Sequence, residues 1–156
     1  MNSAIVGGGL VGSLWACFLA KKGHNVTVYE RRSDMRKTQM SAGKSINLAL
    51  SNRGLKALEK VGLKDKVMEL TIPMHGRLMH DLDGNKTFQA YGKEGQAILS
   101  ISRGFLNALL MDEAERYQNV NFKFDHKCER ISYNTGELHI TNLNNGEKLA
   151  LNPDLT

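Results

Sequence analysis

A glycine cluster set between two short apolar strands restricts this chain more than any other feature. Ala4-Ile5-Val6 runs directly into Gly7-Gly8-Gly9-Leu10-Val11-Gly12. A helical stretch over 10–22 follows, with apolar Leu10, Leu14, Ala16, Cys17, Phe18 and Ala20. Gly23 closes it, 26–30 (VTVYE) alternates as a second strand, and Glu30 ends that strand. A lone G-x-G-x-x-G arises by chance, but strand, glycines, helix and strand in this order make a dinucleotide-binding βαβ unit. Gly7 permits the tight turn, Gly9 lets the backbone approach a pyrophosphate, and Gly12 lets the helix lie close to the strand. The helix N-terminus offers free N–H groups and a partial positive charge to the phosphates. Glu30 comes 18 residues after Gly12, close to the spacing of an acid that takes a ribose hydroxyl pair. Such an acid disfavours NADP at this site and leaves FAD and NAD both open. Arg31 and Arg32 suit either a flank of the adenosine or a solvated basic pair.

Beyond this unit, 31–43 is a long polar connection and 45–50 (SINLAL) a short apolar segment. Ser51 is placed to cap a helix over 52–61, with a shorter helical turn near 64–70. Strands are expected at 74–80 and 86–91 around the turn signal Asp83-Gly84-Asn85, and again at 97–102. Ser102 is placed to cap a helix whose apolar stripe is Phe105, Leu106, Leu109, Leu110 and Ala114. The last third reads as strands at 120–124, 127–133, 137–142 and 147–151, with turns at Asn134-Thr135-Gly136 and Asn144-Asn145-Gly146. The pattern is α/β with inserted antiparallel hairpins, not a plain doubly wound sheet.

The 156 residues suffice for a domain with a real core, and 41% hydrophobic with 24% charged is ordinary for a soluble globular chain. No run of 18 apolar residues marks a membrane span, and no secretory leader is readable. The two cysteines, Cys17 and Cys128, stand far apart, which suits a reducing, cytoplasmic setting and argues against disulfides or zinc. The net charge of +5 is spread among acidic residues without a nucleic-acid motif, so no nucleic-acid partner is expected. His24, His75, His80, His126 and His139 lack metal-ligand spacing, and no Ser-His-Asp or Cys-His pairing is readable. That pattern suits an enzyme whose cofactor carries the chemistry.

The segment Lys44-Ser45-Ile46-Asn47-Leu48-Ala49-Leu50-Ser51-Asn52-Arg53-Gly54 resembles the SINLALSxRG stretch of the kynurenine 3-monooxygenases. Ile72-Pro73-Met74, Gly76-Arg77-Leu78-Met79-His80, Tyr91-Gly92 and Ile98-Leu99-Ser100-Ile101-Ser102-Arg103 continue the resemblance in register, from Ile5 to about Arg130. It implies a Rossmann-like FAD-binding βαβ sheet with inserted antiparallel hairpins, of aromatic hydroxylase type. Residues 1–72 and 100–156 would form the FAD-binding part, and 73–99 a hairpin of the substrate-binding sheet. It implies bound FAD, with NADPH as co-substrate and no separate domain for it. O2 would be consumed as L-kynurenine becomes 3-hydroxykynurenine, a step of tryptophan catabolism towards NAD. Val11, Glu30, Arg31, Arg32, Ser33 and Ala49 fall on the family's FAD contacts. Arg103 falls on an arginine that reaches the flavin from a helix start, and Cys128 on a further contact, made through its backbone. Arg77 and Tyr91 fall on the pair that holds the kynurenine carboxylate.

Spacing bears on that pair independently, since each residue lies seven positions from Gly84. A three-residue loop Asp83-Gly84-Asn85 would set them directly opposite on one face, and a two-residue loop would set them on opposite faces. Taken alone, the spacing favours an exposed arginine and an interfacial tyrosine over a site. The family's second flavin motif, an Asp-Gly pair, would follow residue 156, so the chain reads as a truncated front part, inactive alone. A hydroxylase of another aromatic acid and a non-catalytic dinucleotide-binding module remain as alternatives.

Overall fold

The structure is a computed structural model that describes residues 1–37 and 46–155. The rest of the polar connection, 38–43, and the first two residues of the segment opening at Lys44 lie outside the described residues. The chain forms two compact units, Met1–Lys44 with Gly104–Thr156, and Ser45–Arg103.

In the first unit, β1 (Asn2–Val6), α1 (Leu10–Lys21) and β2 (Asn25–Tyr29) follow the expected strand–helix–strand order. β1 and β2 are parallel, from Asn2↔Asn25 to Val6↔Tyr29, and β8 (Val120–Lys123) adds a third parallel strand beside β2. Alternation decides what each face meets. Ile5 points towards α1, where its Cγ2 lies beside Gly12. Its neighbour Ala4 points the other way, into a core with Tyr29, Leu138 and Ile140. Leu138 and Ile140 belong to β10 (Leu138–Asn142), the centre of an antiparallel sheet with β9 (His126–Ile131) and β11 (Lys148–Leu151). α1 turns Ser13, Ala16, Cys17, Leu19 and Ala20 inward, mostly small side chains that allow close packing. α4 (Arg103–Glu115) buries Leu106, Asn107, Leu109, Leu110, Met111 and Ala114, and its Leu110 carbonyl oxygen accepts from the Cys17 thiol at 3.8 Å.

In the second unit, β3 (Asn47–Leu50), β4 (Ile72–Met74) and β7 (Ile98–Ser102) form an antiparallel sheet in the order β3-β7-β4. α2 (Asn52–Lys60) starts where expected: the Ser51 hydroxyl accepts from the Gly54 N–H at 3.2 Å. α3 (Lys64–Glu69) follows, and the pair buries Leu58, Val61, Leu63 and Val67. β5 (Gly76–His80) and β6 (Lys86–Ala90) form a separate two-stranded hairpin. The single strand expected at 74–80 breaks at His75, because β4 pairs with β7 whereas β5 pairs with β6. Residues 46–72, grouped by sequence with the first part, share a compact unit with the hairpin, since β3 and β4 both pair with β7. Among the described residues, no helix is long and apolar enough to cross a membrane, and no group of His, Cys, Asp and Glu could hold a metal ion.

Candidate functional site

The three glycines of the loop differ in what their backbone geometry requires. Gly7 has φ +102°, a left-handed value that a side chain resists, and its N–H donates to the Tyr29 carbonyl oxygen at 2.8 Å. A Cβ on Gly12 would overlap the Gly7 carbonyl oxygen, so only glycine lets α1 begin this close to the loop. A Cβ on Gly9 would meet nothing within 4 Å, which leaves that side of the loop open to a ligand. Gly9 is also the N-cap of α1, no side chain caps that end, and no acidic residue stands in the first turn. The first-turn N–H groups therefore suit an anion. Val11, in that turn, is 82% exposed.

Glu30 closes the loop from the far end of β2. Its Oε2 accepts from the Gly8 N–H at 2.8 Å and its Oε1 from the Arg32 N–H at 2.9 Å. Both contacts leave lone pairs on each oxygen. Arg31 and Arg32 are exposed. The Ser33 hydroxyl donates to Asp125 Oδ1 at 2.6 Å, and Asp125, at φ 58°, donates its N–H to the Arg32 carbonyl oxygen at 3.2 Å. Further along, Arg36 donates from Nε and Nη2 to both oxygens of the buried Asp34 at 2.9 Å, and from Nη1 to Asp112 and Glu115 of α4 at 2.8 and 2.6 Å. The Arg36 hydrogen bonds hold the Asp34 carboxyl below its ordinary range, and Asp34, with the two α4 carboxylates, raises the guanidinium. Cys128 lies in β9 opposite Ile140 and packs against the core, and burial pushes its thiol up.

In the second unit, Ala49 is exposed in β3 opposite Ser100. Arg103 is the exposed first residue of α4, and its N–H donates to the Ile46 carbonyl oxygen at 3.2 Å. The hairpin register corrects the expected pairing of Arg77 with Tyr91. Arg77 stands opposite Gln89, and its Nε–H donates to Gln89 Oε1 at 2.7 Å. Tyr91 stands past the end of β6 and donates its N–H to the His75 carbonyl oxygen at 2.9 Å. The loop closes at the pair Asp81–Asn85, with Gly84 at φ +82°, so its three residues are Leu82, Asp83 and Gly84. The loop is one residue earlier than expected, which moves the opposing partner by two. Arg77 therefore faces Gln89, and Tyr91 lies two positions further on, outside β6.

Sequence reasoning missed Gln89, the Asp34–Arg36 pair and Asn107. The spacing Asp34-x-Arg36 is a weak local signal for a salt bridge, while Gln89 needs the true register to be found. Asn107 sits within the apolar stripe of α4, where a polar residue is itself a signal.

Residues 1–154 match the family model described as FAD binding domain, and the chain belongs to that family. Within it, the sequence is similar to kynurenine 3-monooxygenases. It is 49% identical to that of Caenorhabditis elegans over 137 residues, covering 86% of this chain and 30% of the relative. It is 50% identical to that of Christiangramia forsetii over 136 residues, covering 87% and 30%. The chain thus spans about a third of the length of these relatives. The fold is similar to that of the flavin-dependent monooxygenase PieE, solved in complex with FAD and substrate. The TM-score is 0.79 at 18% identity, covering 99% of this chain and 30% of that one. For 2-methyl-3-hydroxypyridine-5-carboxylic acid oxygenase the TM-score is 0.73 at 21% identity, covering 99% and 38%.

Proposed function

We propose that this chain is the FAD-binding front part of an NADPH- and O2-dependent monooxygenase that hydroxylates L-kynurenine to 3-hydroxykynurenine. The observation that carries the reading is the glycine loop, with its open side at Gly9, its uncapped helix end and Glu30 drawn up against it. These residues suit a pyrophosphate on α1 and a ribose on the remaining lone pairs of Glu30. Val11, Arg31, Arg32, Ser33, Ala49, Arg103 and Cys128 are the further FAD contacts of this reading. FAD, when bound, supplies the redox chemistry that activates O2. Identity near one half to kynurenine 3-monooxygenases supports kynurenine as the substrate. Its aniline already activates the ring, so orientation is most of what the protein adds. Arg77 and Tyr91 would hold the carboxylate, with Gln89 fixing the guanidinium through its Nε–H.

The test is titration of the chain with FAD, followed by flavin absorbance, for wild type and Glu30→Ala. Saturable binding that Glu30→Ala weakens is expected; equal retention of flavin by both through dialysis overturns the ribose assignment. The chain alone, with FAD added, should show no kynurenine-stimulated NADPH oxidation above free flavin. On an FAD-loaded full-length monooxygenase that contains this chain, Arg77→Ala should raise the kynurenine dissociation constant about 30-fold or more and Tyr91→Phe at most about tenfold. Decarboxylated kynurenine should be nearly indifferent to Arg77→Ala. Equal losses for both ligands would show that Arg77 does not read the carboxylate.

A further inference from the structure

We propose that Asn107 is a positioning residue for the pyrophosphate loop: it holds the Gly8 carbonyl inward and thereby aims the Gly9 N–H outward. The proposal rests on the dinucleotide-binding reading and adds to it a residue from a distant helix. Asn107 lies in α4 and is only 8% exposed. Its Nδ2 donates to the Gly8 carbonyl oxygen at 3.0 Å, across 99 positions of sequence. The same nitrogen lies 3.3 Å from the Met35 sulfur. Ser13, fully buried in α1, sits between the two partners, its hydroxyl 3.3 Å from the Gly8 carbonyl oxygen and 3.5 Å from Asn107 Oδ1. The single hydroxyl proton serves one acceptor at a time, and the shorter contact is with Gly8. On its other side, Gly8 gives its N–H to Glu30. Both polar groups of this one residue are thus held by side chains.

The consequence follows from peptide geometry. The Gly8 carbonyl and the Gly9 N–H share one trans peptide plane and point in opposite directions. Fixing the oxygen towards buried Asn107 and Ser13 turns the Gly9 N–H away from them. Three consecutive glycines would otherwise sample many orientations of that plane, and glycine loses more conformational freedom on ordering than any other residue. A loop set before the ligand arrives spares that loss at binding. A polar side chain inside the apolar stripe of α4 is costly unless it is hydrogen-bonded, and Asn107 spends one of its two N–H donors on this carbonyl.

The experiment compares the wild-type chain with Asn107→Asp, nearly the same shape but without a donor while ionised. ADP and adenosine are titrated separately by calorimetry, and melting is recorded without ligand. At neutral pH, ADP affinity should fall about tenfold or more, because a hydrogen bond is lost and a carboxylate faces a carbonyl, while adenosine affinity changes by less than about twofold. On acidification the protonated carboxyl can donate again, so the variant should regain ADP affinity relative to wild type. Asn107→Ala, which has no donor at any pH, is measured alongside, with a loss of about fivefold expected for ADP and little for adenosine. Retained ADP affinity in folded Asn107→Ala overturns the proposal, as do equal losses for ADP and adenosine, the mark of a merely structural role. A wild-type chain that binds neither ADP nor FAD removes the dinucleotide reading and this proposal with it. A wild type that binds while the variant binds equally well removes this proposal alone.

Discussion

The glycine loop and the β5–β6 hairpin are both backbone turns placed next to candidate ligand contacts, yet they are held in different ways. The loop is tied to its own unit by the Tyr29 carbonyl, the Glu30 carboxylate, Asn107 and Ser13. The hairpin exposes both strands, with Leu78 and Phe88 on one face and Arg77 and Gln89 on the other. Its turn is held locally: the Asp81 carboxylate accepts from the Asn85 side-chain amide at 2.8 Å, and from the Asn85 and Asp83 N–H groups at 2.8 and 3.0 Å, which keeps its carboxyl low. A two-stranded hairpin is marginal by itself. The loop's geometry is therefore a property of a packed core, and the hairpin's a property of its turn.

The largest effect expected from this contrast is at Gly12. Gly12→Val should destabilise the chain by about 3 kcal/mol or more and abolish FAD binding, because the side chain would overlap the Gly7 carbonyl, which is backbone, and press on Ile5 Cγ2. Urea unfolding and FAD titration check both, and a variant that binds FAD like wild type would mean the close approach is dispensable. Next come two matched truncations. Ile140→Ala, at a site 1% exposed, should cost about 3 kcal/mol, whereas Phe88→Ala, at 61%, should cost under about 1 kcal/mol. Equal losses would show that the hairpin face is part of a core.

Asp34→Asn should cost about 2 kcal/mol at pH 7, since it leaves Arg36 with a weakened partner in a half-buried setting. The folded carboxyl is depressed, so its contribution is present above the unfolded value of about 3.9 and is lost as pH falls through the lower folded value. Urea midpoints measured downward from pH 7 should show wild type and variant converging below about pH 4. A constant gap would assign the loss to shape, not charge. The smallest effect is expected at Gln89→Ala, within about 0.5 kcal/mol, because its bond to Arg77 is solvent-exposed. A larger drop in the urea midpoint would show that this pair staples the hairpin.

The strand–glycine–helix order, the Ser51 cap and the two late hairpin turns were legible because each depends on residues within a few positions of one another. Gly7 and Gly12 belong to this class: φ at one residue and an overlap five residues away are local facts. The β5–β6 turn was legible only as a turn. Loops of 82–84 and 83–85 both contain Asp83-Gly84, and the choice fell to the three N–H and amide contacts that Asn85 and Asp83 make with Asp81. That one-residue difference set Arg77 against Gln89 and left Tyr91 two positions further on, outside β6.

That this chain carries a dinucleotide loop follows from its sequence, because glycine spacing, strand alternation and a terminal acid are constraints written along the backbone. The sequence could not say what orients that loop. Gly8 and Asn107 meet across 99 positions, and Arg36 meets Glu115 across 79. Hydrogen bonds of that separation have no period and no neighbouring residue to announce them. Only the packing of α4 beside α1 and the glycine loop brings the partners within reach, and burial then makes each unsatisfied donor or acceptor costly enough to hold them there.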